Sequence, residues 1–260
     1  MKSIFKVYIL VLAFFALGTN LYASNNVNKT QCNNKGEEYI FAGGECIQYY
    51  ISEGEVESEI NIIVHGTWDA GTNTLGRYAP FADNISMATD ITTIAISLPG
   101  YSDSSTNNFT ALSHKGKKKL TTDKNYIEFL TQLIKKLKKV YNADKVNYIG
   151  HSAGAFIGST VTGYSPGLID TMTSVGAGYK SENGISLNDY IGTIDKNTEF
   201  LLVYGTKDKI SKPQITKEYY NILNKKGYNV KIVEVVDAPH IDLDMSDTSV
   251  EAITEMLEEE

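Results

Sequence analysis

The stretch that most constrains this fold is residues 146–158. A short apolar run rich in strand formers enters Gly150-His151-Ser152-Ala153-Gly154 and leaves as small and apolar residues that continue as a helix would. A strand turning this abruptly into a helix holds its central residue in a strained backbone conformation. Glycine is needed two positions to either side, because a Cβ there would strike the neighbouring strand or helix. The strain lifts the Ser152 hydroxyl clear of the sheet edge. The helix that follows aims free N–H groups at whatever bonds to that oxygen. In a chain with 21 glycines the five-residue pattern alone is weak, so its meaning depends on what the other strands bring to it.

Residues 60–64, 91–96, 172–175, 200–204 and 230–236 are further short strand-like runs. Helical segments lie between them. The clearest places Tyr126, Phe129, Leu130, Leu133, Ile134, Leu137, Val140 and Tyr141 at the three-four spacing of one buried face. Residues 75–88 read as a helix interrupted by Pro80. Ser211 and Pro213 open another that Gly227 closes, and Ser246 and Asp247 cap a last one through Leu257. Residues 39–41 and 46–51 flank Gly43-Gly44 as an antiparallel hairpin. This alternation implies an α/β architecture, with a mostly parallel central sheet, helices on both faces and the hairpin at its N-terminal side. With no repeat or linker to divide it, residues 37–260 read as one domain.

A hydrophobic share of 42% and a charged share of 21% fit a globular domain of this kind. The net charge of −7 excludes a global basic surface, so neither nucleic acid nor an anionic membrane is the expected partner. The lysines at 115–119 and 135–139 are local solvated patches. Residues 1–23 combine basic Lys2 and Lys6, an apolar core and a polar turn ending on Ala23. That is the layout of a secretory signal cleaved near Ala23, leaving a periplasmic or secreted protein with no membrane span; an uncleaved anchor is the alternative. Residues 24–36 read as a mobile leader. In an exported chain the two cysteines, Cys32 and Cys46, are expected to pair, stabilising by roughly 3 kcal/mol. Neither has a histidine near it, so no metal site is expected.

Ligands of open α/β sheets bind beyond the carboxyl ends of the strands. Ser152, Asp208 and His240 each follow a strand end, in that chain order. A serine hydroxyl needs a base in contact with it, which His240 supplies. Asp208 would fix the imidazole tautomer and stabilise the imidazolium. Among the other histidines, His151 packs at the turn, His65 shapes a loop, and His114 reaches the site only if its loop folds over. Asp237 reads as a turn residue, and Asp170 sits at the wrong end of its strand. The backbone N–H groups of Ala153 and Thr67, with Trp68 second to Thr67, are the expected oxyanion donors. Trp68, Tyr101 and His151 are expected at the pocket.

His65-Gly66-Thr67-Trp68, Leu98-Pro99-Gly100-Tyr101-Ser102-Asp103-Ser104, Gly150-His151-Ser152-Ala153-Gly154, Gly205-Thr206-Lys207-Asp208 and Pro239-His240 together resemble the α/β-hydrolase superfamily. The resemblance implies an α/β-hydrolase fold and a Ser-His-Asp acyl-transfer enzyme that needs no metal or organic cofactor. Serine at the turn argues against the branches that use aspartate there. The interval 175–200 is too short for the large cap domain of many relatives; the loop 102–120 is the other possible cover, so the expected site is shallow or covered by a loop alone. The expectation is an exported serine hydrolase that cleaves small-molecule or polymer-attached esters, with a preference for short acyl chains. A thioesterase, peptidase, acyltransferase or lyase with the same three residues, or a catalytically silent binding protein, are the alternatives.

Overall fold

The computed structural model describes residues 26–112, 119–181 and 184–258. The expected signal at 1–23, His114 and the lysines at 115–118 lie outside these. Within the stretch expected as a leader, residues Lys29–Asn33 form a short helix, α1. Asn28 caps it by accepting the Gln31 N–H, and its Cys32 is bonded to Cys46. The hairpin follows as β1 (Tyr39–Ala42) and β2 (Glu45–Ser52), turning through Gly43-Gly44.

From β3 (Val56–Val64) the chain alternates: α2 (Leu75–Thr89), β4 (Ile91–Ile96), α3 (Lys124–Val140), β5 (Lys145–His151), α4 (Ala153–Tyr164), β6 (Thr171–Val175), α5 (Leu187–Tyr190), β7 (Glu199–Gly205), α6 (Pro213–Lys225), β8 (Val230–Val235) and α7 (Asp247–Glu258). The strands form one sheet in the order β1-β2-β4-β3-β5-β6-β7-β8. It is antiparallel from β1 through β4 and parallel across every later pair. This is the mostly parallel sheet with an N-terminal hairpin that the sequence implies.

Strand geometry sends alternate side chains to opposite faces, so each central strand feeds two cores. Ile60, Ile62 and Val64 of β3 join the apolar faces of α3, α4 and α6, while Ile63 joins those of α2 and α7. Asp123 starts α3 by accepting the Asn125 N–H, and Leu130, Leu133, Ile134 and Leu137 are wholly buried on its inner face. Burying each contributes about 1.5–3 kcal/mol. Helix α2 runs through Pro80 instead of breaking there. Pro80 cannot donate to the Gly76 carbonyl, but Tyr78, Phe81, Ala82 and Ile85 bury against the sheet, and packing decides more of a helix's stability than one bond.

Two features position the site. The chain leaves β3 to place β4 on one side and later returns to place β5 on the other, so a crevice opens beyond the carboxyl ends of β3 and β5. Between β6 and β7 the described residues hold only the four-residue α5, so among them no large cap domain is inserted there. No helix among the described residues is long and apolar enough to cross a membrane.

Candidate active site

Ser152 lies between β5 and α4 with φ 53° and ψ −113°, a conformation costly for any residue with a side chain. Its surroundings hold it there. The Ser152 N–H donates to Val175 O at 2.9 Å, and its carbonyl accepts from Phe156 N at 3.0 Å. A Cβ on Gly150 would come within 2.6 Å of the Ala155 backbone, and one on Gly154 within 2.3 Å of Val64 O. Both glycines are therefore required by close approach of backbone to backbone.

Three elements converge on the hydroxyl. His240, past β8, has Nε2 2.9 Å from Ser152 Oγ and Nδ1 2.8 Å from Asp208 Oδ2. The carboxylate only accepts, so Nδ1 carries the proton and Nε2 is left to accept the serine O–H. Asp208, past β7, is buried, and its Oδ1 accepts the N–H groups of Ile210 and Ser211, each at 2.8 Å. Those bonds fix the carboxylate while its other oxygen faces the imidazole. The alternatives sit elsewhere. Asp237 is exposed and paired with Lys207 at 3.0 Å, and Asp170 accepts Val146 N at the far end of the sheet.

Thr67 and Ala153 both border the cavity beside Ser152. As the first residue of α4, Ala153 has an N–H without an intrahelical acceptor. The loop carrying Thr67 lies so near the serine that a Cβ on Gly66 would come 2.9 Å from Ser152 Cβ. His65 holds this loop: its Nδ1–H donates to Gly66 O at 2.6 Å and its Nε2 accepts Leu98 N–H at 3.1 Å. Burial drives its pKa down to about 4, so the ring is neutral.

The expected pocket residues divide. Trp68 lines the larger cleft, half-buried, with the Arg77 guanidinium 5.3 Å from its ring centroid. Tyr101 does not line it. Fully buried, it lies behind the wall, with its hydroxyl 3.0 Å from Trp68 O and 2.9 Å from Leu112 O, joining two loops. An aromatic ring following a Pro-Gly turn gives no sign of which side of a wall it takes. His151 borders the cleft but is buried; its Nε2–H donates to the His240 carbonyl at 3.0 Å, and burial lowers its pKa. Its Nδ1 lies 3.8 Å from the buried carboxylate of Asp244.

Two clefts meet at Ser152, of about 490 Å³ and about 230 Å³. Several lining residues were not legible in the sequence: Ala111, Leu112, Phe156, Ile210 and Ile241. The available signal is an isoleucine two residues after Asp208, in an otherwise polar loop, and another one directly after His240. Glu45 was also missed. Its buried carboxylate accepts the N–H groups of Asn107, Asn108 and Phe109 and the Ser105 hydroxyl, anchoring the loop that leads to Leu112. No three His, Cys, Asp or Glu side chains among the described residues are grouped to hold a metal ion.

A family model described as the alpha/beta hydrolase fold matches residues 62–199. None of the curated proteins compared by sequence matches the chain. Solved structures do. The Pyrococcus furiosus esterase Pf2001 is 17% identical, with 85% of this chain and 90% of that one covered and a TM-score of 0.65. A predicted CIB-like hydrolase from Thermoplasma acidophilum is 18% identical, covering 86% and 98%, at 0.64. Est1E from Butyrivibrio proteoclasticus, solved with ferulic acid bound, is 15% identical, covering 85% and 96%, at 0.61. At such identities the likeness is one of fold.

Proposed function

This chain belongs to the α/β-hydrolase fold family, and from that premise we propose that it is an exported serine hydrolase that cleaves carboxylic esters through an acyl-enzyme. The observation that carries the reading is the continuous chain Ser152 Oγ, His240 Nε2, His240 Nδ1, Asp208 Oδ2, with links of 2.9 and 2.8 Å. Such geometry activates a hydroxyl that is otherwise almost fully protonated at neutral pH.

As Ser152 Oγ bonds to the ester carbonyl carbon, its proton passes to His240 Nε2. Asp208 stabilises the resulting imidazolium, and the carbonyl oxygen, now anionic, is met by the N–H groups of Thr67 and Ala153. Collapse breaks the carbon–alkoxy bond, and His240 returns the proton to the departing alcohol. Water then repeats the sequence with His240 as base, releasing the acid and the free serine. The Cys32–Cys46 bond supports an oxidising compartment, in line with the signal-like residues 1–23. We read residues 37–260 as the hydrolase domain.

The test is covalent. A fluorophosphonate probe is expected to label the folded protein, and Ser152→Ala to abolish both labelling and ester turnover. Folded wild-type protein that takes up no probe would leave the fold in a binding role instead.

A further inference from the structure

Given the serine-ester reading, we propose that the two clefts divide the substrate unequally: a small, polar-walled site for a short acyl group and a larger apolar site for a bulky alcohol. The larger cleft, about 490 Å³, is the one that His240 borders, with Trp68, Leu112, Ile210 and Ile241 on its walls. The smaller, about 230 Å³, is bordered by Ala153 and Phe156 together with Thr121 and Ser211. Thr67, Leu112 and Ser152 border both, so the serine stands at their junction.

The direction of proton transfer fixes which half goes where. The proton that His240 Nε2 takes from Ser152 Oγ must be delivered to the alkoxy oxygen as the carbon–oxygen bond breaks. That oxygen therefore lies against Nε2, on the His240 side, and the alcohol carbon bonded to it continues into the larger cleft. The carbonyl oxygen is turned to the Thr67 and Ala153 amides. The acyl substituent is then left with the Ala153 side, in a space below the roughly 300–1,000 Å³ usual for whole small-molecule sites.

The apolar character of the alcohol follows from two side chains. Ile210 is 62% exposed and Ile241 is 59% exposed, and both border the His240 cleft. Isoleucines left in water beside a catalytic base regain their transfer free energy only when something apolar covers them. An aryl or alkyl alcohol does that; a sugar hydroxyl face does not.

Isomeric ester pairs isolate the effect, because total hydrophobicity is held constant. Benzyl acetate is expected to show a kcat/KM about tenfold or more above that of methyl phenylacetate, and hexyl acetate likewise above methyl heptanoate. In Ile210→Ser and Ile241→Ser, both at exposed positions that tolerate a polar residue, the benzyl acetate to methyl phenylacetate ratio is expected to fall several-fold. Faster turnover of the methyl esters by unlabelled enzyme from a preparation whose parallel sample takes up the fluorophosphonate, or a ratio unmoved by either substitution, would overturn the division of the clefts while leaving the serine chemistry standing. Protein that neither labels nor hydrolyses any of the four esters would remove the division and the serine reading together.

Discussion

At the scale of single residues, the site depends on groups that never touch substrate. Gly66 is one. With only 2.9 Å between a Cβ placed there and Ser152 Cβ, Gly66→Ala must push the Thr67 amide away from the serine. A displacement near 1 Å is enough to cost about 100-fold in kcat; steady-state kinetics at wild-type levels would show that this amide is not used. His65 is another. Its pKa is about 4 in the folded chain and near 6.5 unfolded, so the unfolded state binds the proton more tightly between those values. Its contribution is complete above pH 6.5 and is lost as pH falls toward 4, amounting to on the order of 3 kcal/mol. Urea midpoints at pH 7, 5.5 and 4.5 should fall in that order, and His65→Gln should flatten the trend; an equal slope in the variant would assign it to other groups. Ser152, Asp208 and His240 were legible because each follows a strand end. The roles of His65 and Tyr101 were not, since a ring's hydrogen bonds depend on loops that only tertiary structure brings together.

At the scale of elements, what the sequence revealed tracks how each one is stabilised. The central strands are buried on both faces and therefore read as continuous apolar runs. Helix α3 shows its three-four stripe because one face is buried along its whole length. Helix α1 carries no such stripe. It is held by the Asn28 cap and by Cys32, and Lys29–Asn33 is too short and polar to announce itself, so the stretch read as a leader. The same absence hides α5, whose four residues bury only Leu187. Because the bond closes a loop with a sequence separation of 14, opening it is expected to cost about 3 kcal/mol. Intact mass should rise by two hydrogens on reduction, and the denaturation midpoint of the reduced protein should drop; a mass unchanged by reductant would mean that the thiols are unpaired.

At the scale of the whole molecule, what matters for the site is how little of the described chain is built over the crevice. A parallel sheet needs covering on both faces, and α2 and α7 on one side with α3, α4 and α6 on the other supply it. Nothing in that requirement covers the carboxyl ends of the strands, and the described residues from β6 to β7 add only α5 there. An acyl chain longer than a cleft of about 230 Å³ can hold would extend past its walls, and each further methylene would gain little of the roughly 0.8 kcal/mol that full burial gives. Across p-nitrophenyl esters of rising acyl length the leaving group is constant, so kcat/KM reports the acyl side alone. The acetate or butyrate is expected to lead, with the decanoate slower by about tenfold or more. A profile that climbs steadily to long chains would require more apolar room on the acyl side than a cleft of about 230 Å³ gives.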